Sequence, residues 1–504
     1  VTGITADSMS TAVEASKTGV FITPPPLTAK RQRLCLAALA GVLLLVLIAP
    51  YEDAMALLVA AGCATAALAA LTLVRDRRER HLLMLLFLTA FGLRLVFTVF
   101  VYQTALIQSF GGGDDIGWVI RWKLSRIWQG WFTHDWFGDL AVHRLNFREE
   151  TYAATLWEVY DGSRQRNRGY AFFVTWFYYL IDARSQMALA IFNSFLNAVT
   201  VLVIYRTARL FFSREAALFA AAVATILPSF LVFSALTIKE SWIVLCEVAA
   251  CYALLRYVYS RHWAYLCLCA TFILLVGGFR FYAGWTTLSA VGITFLCFSS
   301  RRSKLAGIGA LTAVAAVLLA VDANDATDRH LSQGLTSLLD DITHFRTVVS
   351  SNDPRFSTGS AVPLDYDLHT PDGLAMQVAV GGSYLLLAPF PWETLSGRQL
   401  YALPDVCLWW IVFFCFVVPG AISLRRTHPA LLTSLLSFIV PLFLFCSLTF
   451  GNIGLGHRQR AQLVPFLLVM AAAGYEARKG RWRGRISNKA GLPPGDIVAS
   501  SSIS

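Results

Sequence analysis

Gly111-Gly112-Gly113-Asp114-Asp115 sets two adjacent carboxylates behind three glycines, just beyond an apolar run that ends near residue 106. A carboxylate in such a place can act as a general base toward a hydroxyl, because an alcohol is a poor nucleophile at neutral pH until a base within hydrogen-bond reach takes its proton. The glycines let the backbone turn tightly or approach a ligand. The plain alternative is a solvated Gly-Asp turn that closes a helix. A second constellation, Gly451-Asn452-Ile453-Gly454-Leu455-Gly456-His457-Arg458-Gln459-Arg460, gathers three potentially cationic side chains ahead of another apolar run. Guanidinium is planar, stays charged and forks onto phosphate oxygens, so His457, Arg458 and Arg460 suit an anionic phosphate headgroup. Pairing with an acidic residue of an outer loop is their other use. Arg280, in Gly277-Gly278-Phe279-Arg280-Phe281-Tyr282, is either a further phosphate contact or an arginine that snorkels to an interface. Lys239 and Glu240, which open a helix beyond Pro228, either pair with each other or join the polar site.

These residues have meaning only in the setting that positions them, and composition sets it. The 504-residue chain is 56% hydrophobic and 14% charged, against about 25% charged in an average soluble domain. Its mean hydropathy is +0.58. Apolar runs close to the ~20 residues of a membrane span recur along its length. Spans are expected at about 33–50, 54–74, 82–106, 184–211, 213–235, 239–259, 263–280, 283–300, 303–320, 402–424, 429–449 and 459–475. The fold class is therefore all-α: a polytopic membrane protein of about twelve transmembrane helices.

Lys and Arg stay in short cytoplasmic loops and are depleted from translocated ones. The clusters Lys30 to Arg33, Arg75 to Arg80, Arg206 to Arg214, Arg256 to Arg261, Arg301 to Lys304, Arg425-Arg426 and Arg478 to Arg485 fall at every second junction. All are expected inside, with both termini cytoplasmic. The +11 formal charge follows from this bias and gives no nucleic-acid signal. Residues 1–30 and 481–504 read as polar, disordered cytoplasmic tails around a membrane domain of 31–480, whose long outer loops are 109–183 and 321–400. The first apolar run starts too late for a cleaved signal peptide.

In the first outer loop, Trp118 and Trp122 alternate with Arg121, Lys123 and Arg126, the pattern of an amphipathic helix lying in the interface. Tyr170 to Ile181 is apolar and aromatic but too short to span, and is expected as a second interfacial or re-entrant helix. The ten cysteines lie in or beside apolar runs, so no disulfide framework or zinc spacing arises. In the second loop, Asp340, Asp341, Asp353, Asp365 and Asp367 fit no calcium-loop spacing, and no metal is assigned. Ala388-Pro389-Phe390-Pro391-Trp392-Glu393 is an aromatic-proline turn, read as an interfacial anchor, with a lid or an acceptor platform as the alternatives.

The order of an acidic pair, an interfacial helix, a short aromatic segment and a span closing on Arg206-Thr207-Ala208-Arg209-Leu210-Phe211-Phe212 resembles the C-type (GT-C fold) glycosyltransferases. These include the dolichyl-phosphate-mannose protein mannosyltransferases and bacterial transferases that act outside the cytoplasmic membrane. The resemblance runs over roughly 82–260 and implies a GT-C-like fold with interfacial helices in the outer loops. It implies that Asp114 or Asp115 positions or deprotonates the acceptor, while Arg280, His457, Arg458 and Arg460 meet the donor phosphate. The donor is then a polyprenyl-phosphate-linked sugar and the acceptor a glycan, lipid or protein, with no cofactor assigned. The place is a bacterial plasma membrane with the site on its outer face. A repeat-unit polymerase, and a transporter or lipid flippase, are the alternatives. The absence of a convincing internal repeat and the gathering of polar candidates at outer helix ends weigh against transport.

Overall fold

The structure is a computed structural model that describes residues 54–104, 185–298, 334–350, 361–362, 364–393 and 397–490, with Thr312 and a few positions between 170 and 181. Asp114, Asp115, the tryptophan-rich stretch, the expected span at 33–50 and, apart from Thr312, that at 303–320 lie outside the described residues. Among the described residues the regular elements are helical, and extended pairing is limited to an isolated bridge between Ala361 and Asn452.

The first helices are α1 (Ala54–Thr72), α2 (Arg77–Gln103) and α3 (Gln186–Arg209). They are followed by α4 (Arg214–Ile226), α5 (Pro228–Ala235), α6 (Glu240–Ser260), α7 (Trp263–Phe279) and α8 (Phe281–Phe298). Beyond them come α9 (Gly334–Ser350), α10 (Pro371–Leu387) and α11 (Gly397–Val412), the last running through a π-helical turn, Phe413–Val417, into α12 (Val418–Thr427). The chain ends in α13 (Pro429–Leu448) and α14 (Ile453–Ala490). Six of the described helices are long and apolar enough to cross a membrane, or seven if α4 and α5 count as one broken span. The protein is therefore an all-α, multi-pass membrane protein.

Local sequence explains the helix limits. Asp76 accepts from the Arg78 N–H at 2.9 Å and opens α2; Ser185 accepts from Ala188 at 2.8 Å and opens α3. Such side chains satisfy amide groups that a helix start leaves without intrahelical partners. α6 packs chiefly on α7 and α3, α8 on α13, and α14 on α12 and α4. The crossing of α12 and α14 is close enough that a Cβ on Gly420 would run into the Met470 carbonyl, and one on Gly474 into the Phe416 carbonyl. Small residues are what allow two backbones to approach like this within a membrane.

The span expected at 213–235 is in two pieces, broken at Pro228 with a bend of 53° between α4 and α5. Proline lacks the N–H that the Ala224 carbonyl would need, so the last turn of α4 is left with open acceptors. Arg94, fully buried on α2, fills that need by donating to Ala224 O at 3.0 Å, Thr225 O at 3.5 Å and Ala90 O at 3.0 Å. The second break, between α5 and α6, is closed in the same manner. Asn193 donates to Leu236 O at 2.8 Å and Ile238 O at 3.1 Å, and the Tyr170 hydroxyl donates to Thr237 O at 2.8 Å. Irregular backbone at membrane depth persists where buried side chains meet its polar groups.

Basic clusters gather at one end of this bundle. Arg75, Arg206, Arg209 and Arg256 line a shared cavity there. Ser213 N donates to Glu476 at 3.2 Å and Lys479 pairs with Glu215, which brings the basic stretch of α14 to the same end. His428, two residues past Arg425-Arg426, packs edge-on against Phe211 and Phe212. The N-terminus of α6, sixteen residues before Arg256 and hence ~24 Å away along the helix, marks the opposite end.

Candidate functional site

At that opposite end α14 begins, and its opening sequence places the polar side chains of the site. Asn452 caps it, accepting from Gly454 N at 2.8 Å and Leu455 N at 3.4 Å. Residues four apart on a helix share a face, so Arg458 and Gln462 look toward one set of neighbours. His457 and Arg460, three apart, look toward another.

The Gln462 face meets a buried charge chain. Arg280, only 9% exposed, sits at the break between α7 and α8. It donates from Nη2 to Glu240 Oε1 at 3.0 Å and from Nη1 to the Tyr282 hydroxyl at 3.0 Å. With its amide turned to suit its neighbours, Gln462 accepts from Arg280 Nη1 at 2.7 Å and donates to Glu247 Oε1 at 3.3 Å. The chain thus runs Glu240, Arg280, Gln462, Glu247, from the start of α6 to two turns inside it. Tyr282 is held by stacking on Phe445, ring centres 4.1 Å apart.

The other face meets Asp405. Arg460, 2% exposed, donates from Nη2 to Asp405 Oδ2 at 2.8 Å and from Nη1 to the carbonyls of Ala388 at 3.2 Å and Leu386 at 3.3 Å. The second oxygen of Asp405 accepts from Ser229 N at 2.8 Å, so the carboxylate also caps α5 just after its proline. His457 Nδ1 lies 3.0 Å from Arg460 Nη2 and 3.9 Å from Asp405 Oδ2. A guanidinium can only donate, so Nδ1 is the acceptor of that contact and the ring is neutral. Burial, and then the charge on Arg460, hold the His457 imidazole well below its ordinary range.

Arg458 differs from both. It is half-buried and makes no hydrogen bond or ion pair with the described residues, though it stands close enough to Glu240 for their charges to interact. Residues of α9, of α10 and around Val362 dock beside the start of α14. Arg346 donates to Gln377 Oε1 at 3.1 Å and Tyr366 O at 2.9 Å, and Gln377 donates to Ser447 O at 3.0 Å and Phe450 O at 3.3 Å. Val362 N donates to Gly451 O at 2.9 Å, beside the cap of α14. Trp392 is 73% exposed and stacked on Phe390, with Trp410 beside both.

The fold therefore brings Arg280, His457, Arg458 and Arg460 to one end of the bundle together with Lys239 and Glu240. Three expected relationships change. Glu240 finds its ion pair in Arg280 rather than in Lys239, which stands at the start of α6. Arg280 is not a snorkelling side chain but a buried, fully engaged one. The acidic partner of Arg460 comes from helix α11 and not from an outer loop. Asp405, Gln462 and Tyr282 are the residues that sequence reasoning missed. The signal for Asp405 was a lone carboxylate after Pro404 in an apolar run, since a charge in such a place demands a partner. No group of three or more potential metal ligands occurs among the described residues.

Residues 169–324, less than a third of the chain, match the family model described as dolichyl-phosphate-mannose-protein mannosyltransferase. That stretch contains the Glu240–Arg280 pair and both breaks around α5. The chain is thus similar to the C-type membrane glycosyltransferases, over that stretch of an all-α, multi-pass membrane protein. A comparison with curated proteins gives no match. Among solved structures, the archaeal oligosaccharyltransferase AglB from Archaeoglobus fulgidus, in complex with an inhibitory peptide and a dolichol-phosphate, is similar at 16% identity and a TM-score of 0.35. The similarity covers 65% of this chain and 44% of that one, so this chain spans less than half of that structure's length.

Proposed function

We propose that the protein is an integral membrane glycosyltransferase that moves a sugar from a polyprenyl-phosphate donor to a glycan, lipid or protein acceptor on the extracytoplasmic face of a plasma membrane, in the building of envelope polysaccharide. The observation that carries this reading is Arg458: a cation that makes no ion pair with the described residues, at the same end of the bundle as two arginines that are already paired. Arg280 is paired with Glu240 and Arg460 with Asp405, so an arriving phosphate meets a prepared surface on which the Arg458 guanidinium makes no direct ion pair with the described residues. Family similarity over 169–324 supports the same class of chemistry.

In the reaction, the acceptor hydroxyl oxygen bonds to the anomeric carbon while the bond from that carbon to the phosphate oxygen breaks. The hydroxyl proton passes to Asp114 or Asp115, and polyprenyl phosphate departs with the electron pair. Arg458 takes the phosphate charge that grows as the bond breaks, and Arg280 and Arg460 hold their own helices so that Arg458 need not move. Preorganised charge of this kind costs no rearrangement at the moment of reaction. The donor phosphoester supplies the driving force, so no nucleotide is consumed. The exposed Trp392, with Phe390 and Trp410, anchors its own segment in the interface.

The test is transfer of label from a panel of polyprenyl-phosphate sugars to envelope acceptors in proteoliposomes, run beside an assay of lipid passage between leaflets. Label in the acceptor with leaflet passage unchanged supports the transferase. Passage without transfer would make the protein a flippase.

A further inference from the structure

Away from this site, the basic end of the bundle holds a cavity of about 470 Å³ between the α1–α2 corner, the C-terminal turn of α3 and the second half of α6. We propose that it is a binding site for a phosphate-bearing anion. Four arginines line it, Arg75, Arg206, Arg209 and Arg256, with two carboxylates, Asp76 and Glu79. Both carboxylates are already engaged. Asp76 caps α2 through the Arg78 N–H, and Glu79 lies 3.7 Å from Arg206. Four guanidinium groups against two carboxylates leave the lining with a net positive charge among the described residues.

Their remaining contacts are neutral. Arg209 donates from Nη1 to the Phe212 carbonyl at 3.1 Å, and Arg256 lies over the Tyr265 ring, 5.5 Å from its centre. Arg256 also buries its Nε with no hydrogen-bond partner. Guanidinium groups that face one cavity and outnumber its carboxylates repel each other. A phosphate between them relieves that repulsion, because its oxygens accept several guanidinium bonds at once. An ordinary solvated basic loop has no such build: here the cations come from three separate elements and enclose a space. Basic pockets between membrane helices bind phosphate headgroups on the same principles. Val74 and Leu210 give the cavity an apolar flank. Both an anionic lipid headgroup and a soluble phosphate fit this chemistry.

The experiment uses the full chain in nanodiscs of phosphatidylcholine. Phosphatidylglycerol is titrated into one series and inorganic phosphate is added to another, while the apparent Tm is followed. A rise with phosphatidylglycerol alone assigns the site to a lipid, and a rise with inorganic phosphate assigns it to a soluble anion. In either case Arg209→Gln and Arg256→Gln should each need about five-fold more of the probe, and Arg425→Gln, on the same end but away from the cavity, should behave as wild type. Should a cavity variant fail to fold in phosphatidylcholine alone, Arg75→Gln at an exposed position carries the same expectation. No shift with either probe, or an equal loss in Arg425→Gln, would overturn the proposal.

Discussion

Asp405 and Arg460 are separated by 55 residues in the chain and by 2.8 Å in the fold, buried together where α11, α14 and the start of α5 meet. One carboxylate thereby ties the broken span to the helix that carries the proposed donor site. Removing one member of a buried pair leaves an uncompensated charge, which costs about 3–5 kcal/mol. Asp405→Asn and Arg460→Gln should each lower the apparent Tm strongly, and the double variant should lose less than the two single losses combined. Thermal unfolding of the three proteins in one detergent checks this, and strict additivity would show that the pair is not coupled.

His457 supplies a pH signature for the same cluster. Its folded pKa is depressed below the ordinary 6.5, so the unfolded chain binds the proton that the folded site refuses. The stabilising contribution is therefore complete above about pH 6.5 and is lost as pH falls below it. Between pH 7.5 and 5.5 the wild type should lose about 1 kcal/mol more than His457→Gln. Parallel pH profiles of unfolding for both proteins give the comparison, and identical profiles would mean that the ring charges freely in the fold.

Gly420 and Gly474 hold α12 against α14 at backbone contact. Gly420→Ala should force the helices apart and cost about 1–3 kcal/mol. Gly480→Ala, with nothing within 4 Å of its added Cβ, should be close to neutral. Apparent Tm values of the two variants decide between them.

Much of this architecture is legible in the chain. The apolar runs expected at 54–74 and 429–449 are helices at 54–72 and 429–448, because length and hydropathy are local properties that a membrane span must satisfy. The break at Pro228 is less visible. Hydropathy carries straight across it, and whether a proline kinks or breaks a span depends on neighbours such as Arg94 and Asp405 that can satisfy the freed groups. Arg280, Glu240, His457, Arg458 and Arg460 stand out as polar residues at apolar boundaries, but their pairing does not. Which acid meets which base is settled by helix packing over tens of residues, and no spacing rule encodes it. Asp405 was hidden for the same reason.

Arg458 makes no ion pair with the described residues, and under the proposed function its loss should be felt in binding before folding. Arg458→Gln should keep the wild-type Tm within about 0.5 kcal/mol equivalent, as a half-buried side chain without a direct partner allows. Its KM for the polyprenyl-phosphate sugar should rise roughly 10-fold or more, since a charge-assisted hydrogen bond contributes about 1.5–3 kcal/mol. Steady-state transfer kinetics beside a melting curve separate the two effects. A collapsed Tm with unchanged KM would give Arg458 a structural role instead.

Sugar transfer with a carboxylate of the Asp114-Asp115 pair as the base is best probed by single-turnover transfer in reconstituted wild type, Asp114→Asn and Asp115→Asn at saturating donor. One of the two substitutions should slow transfer by about 10²–10⁴-fold while donor binding persists. Transfer at the wild-type rate in both variants would rule out the pair as the base.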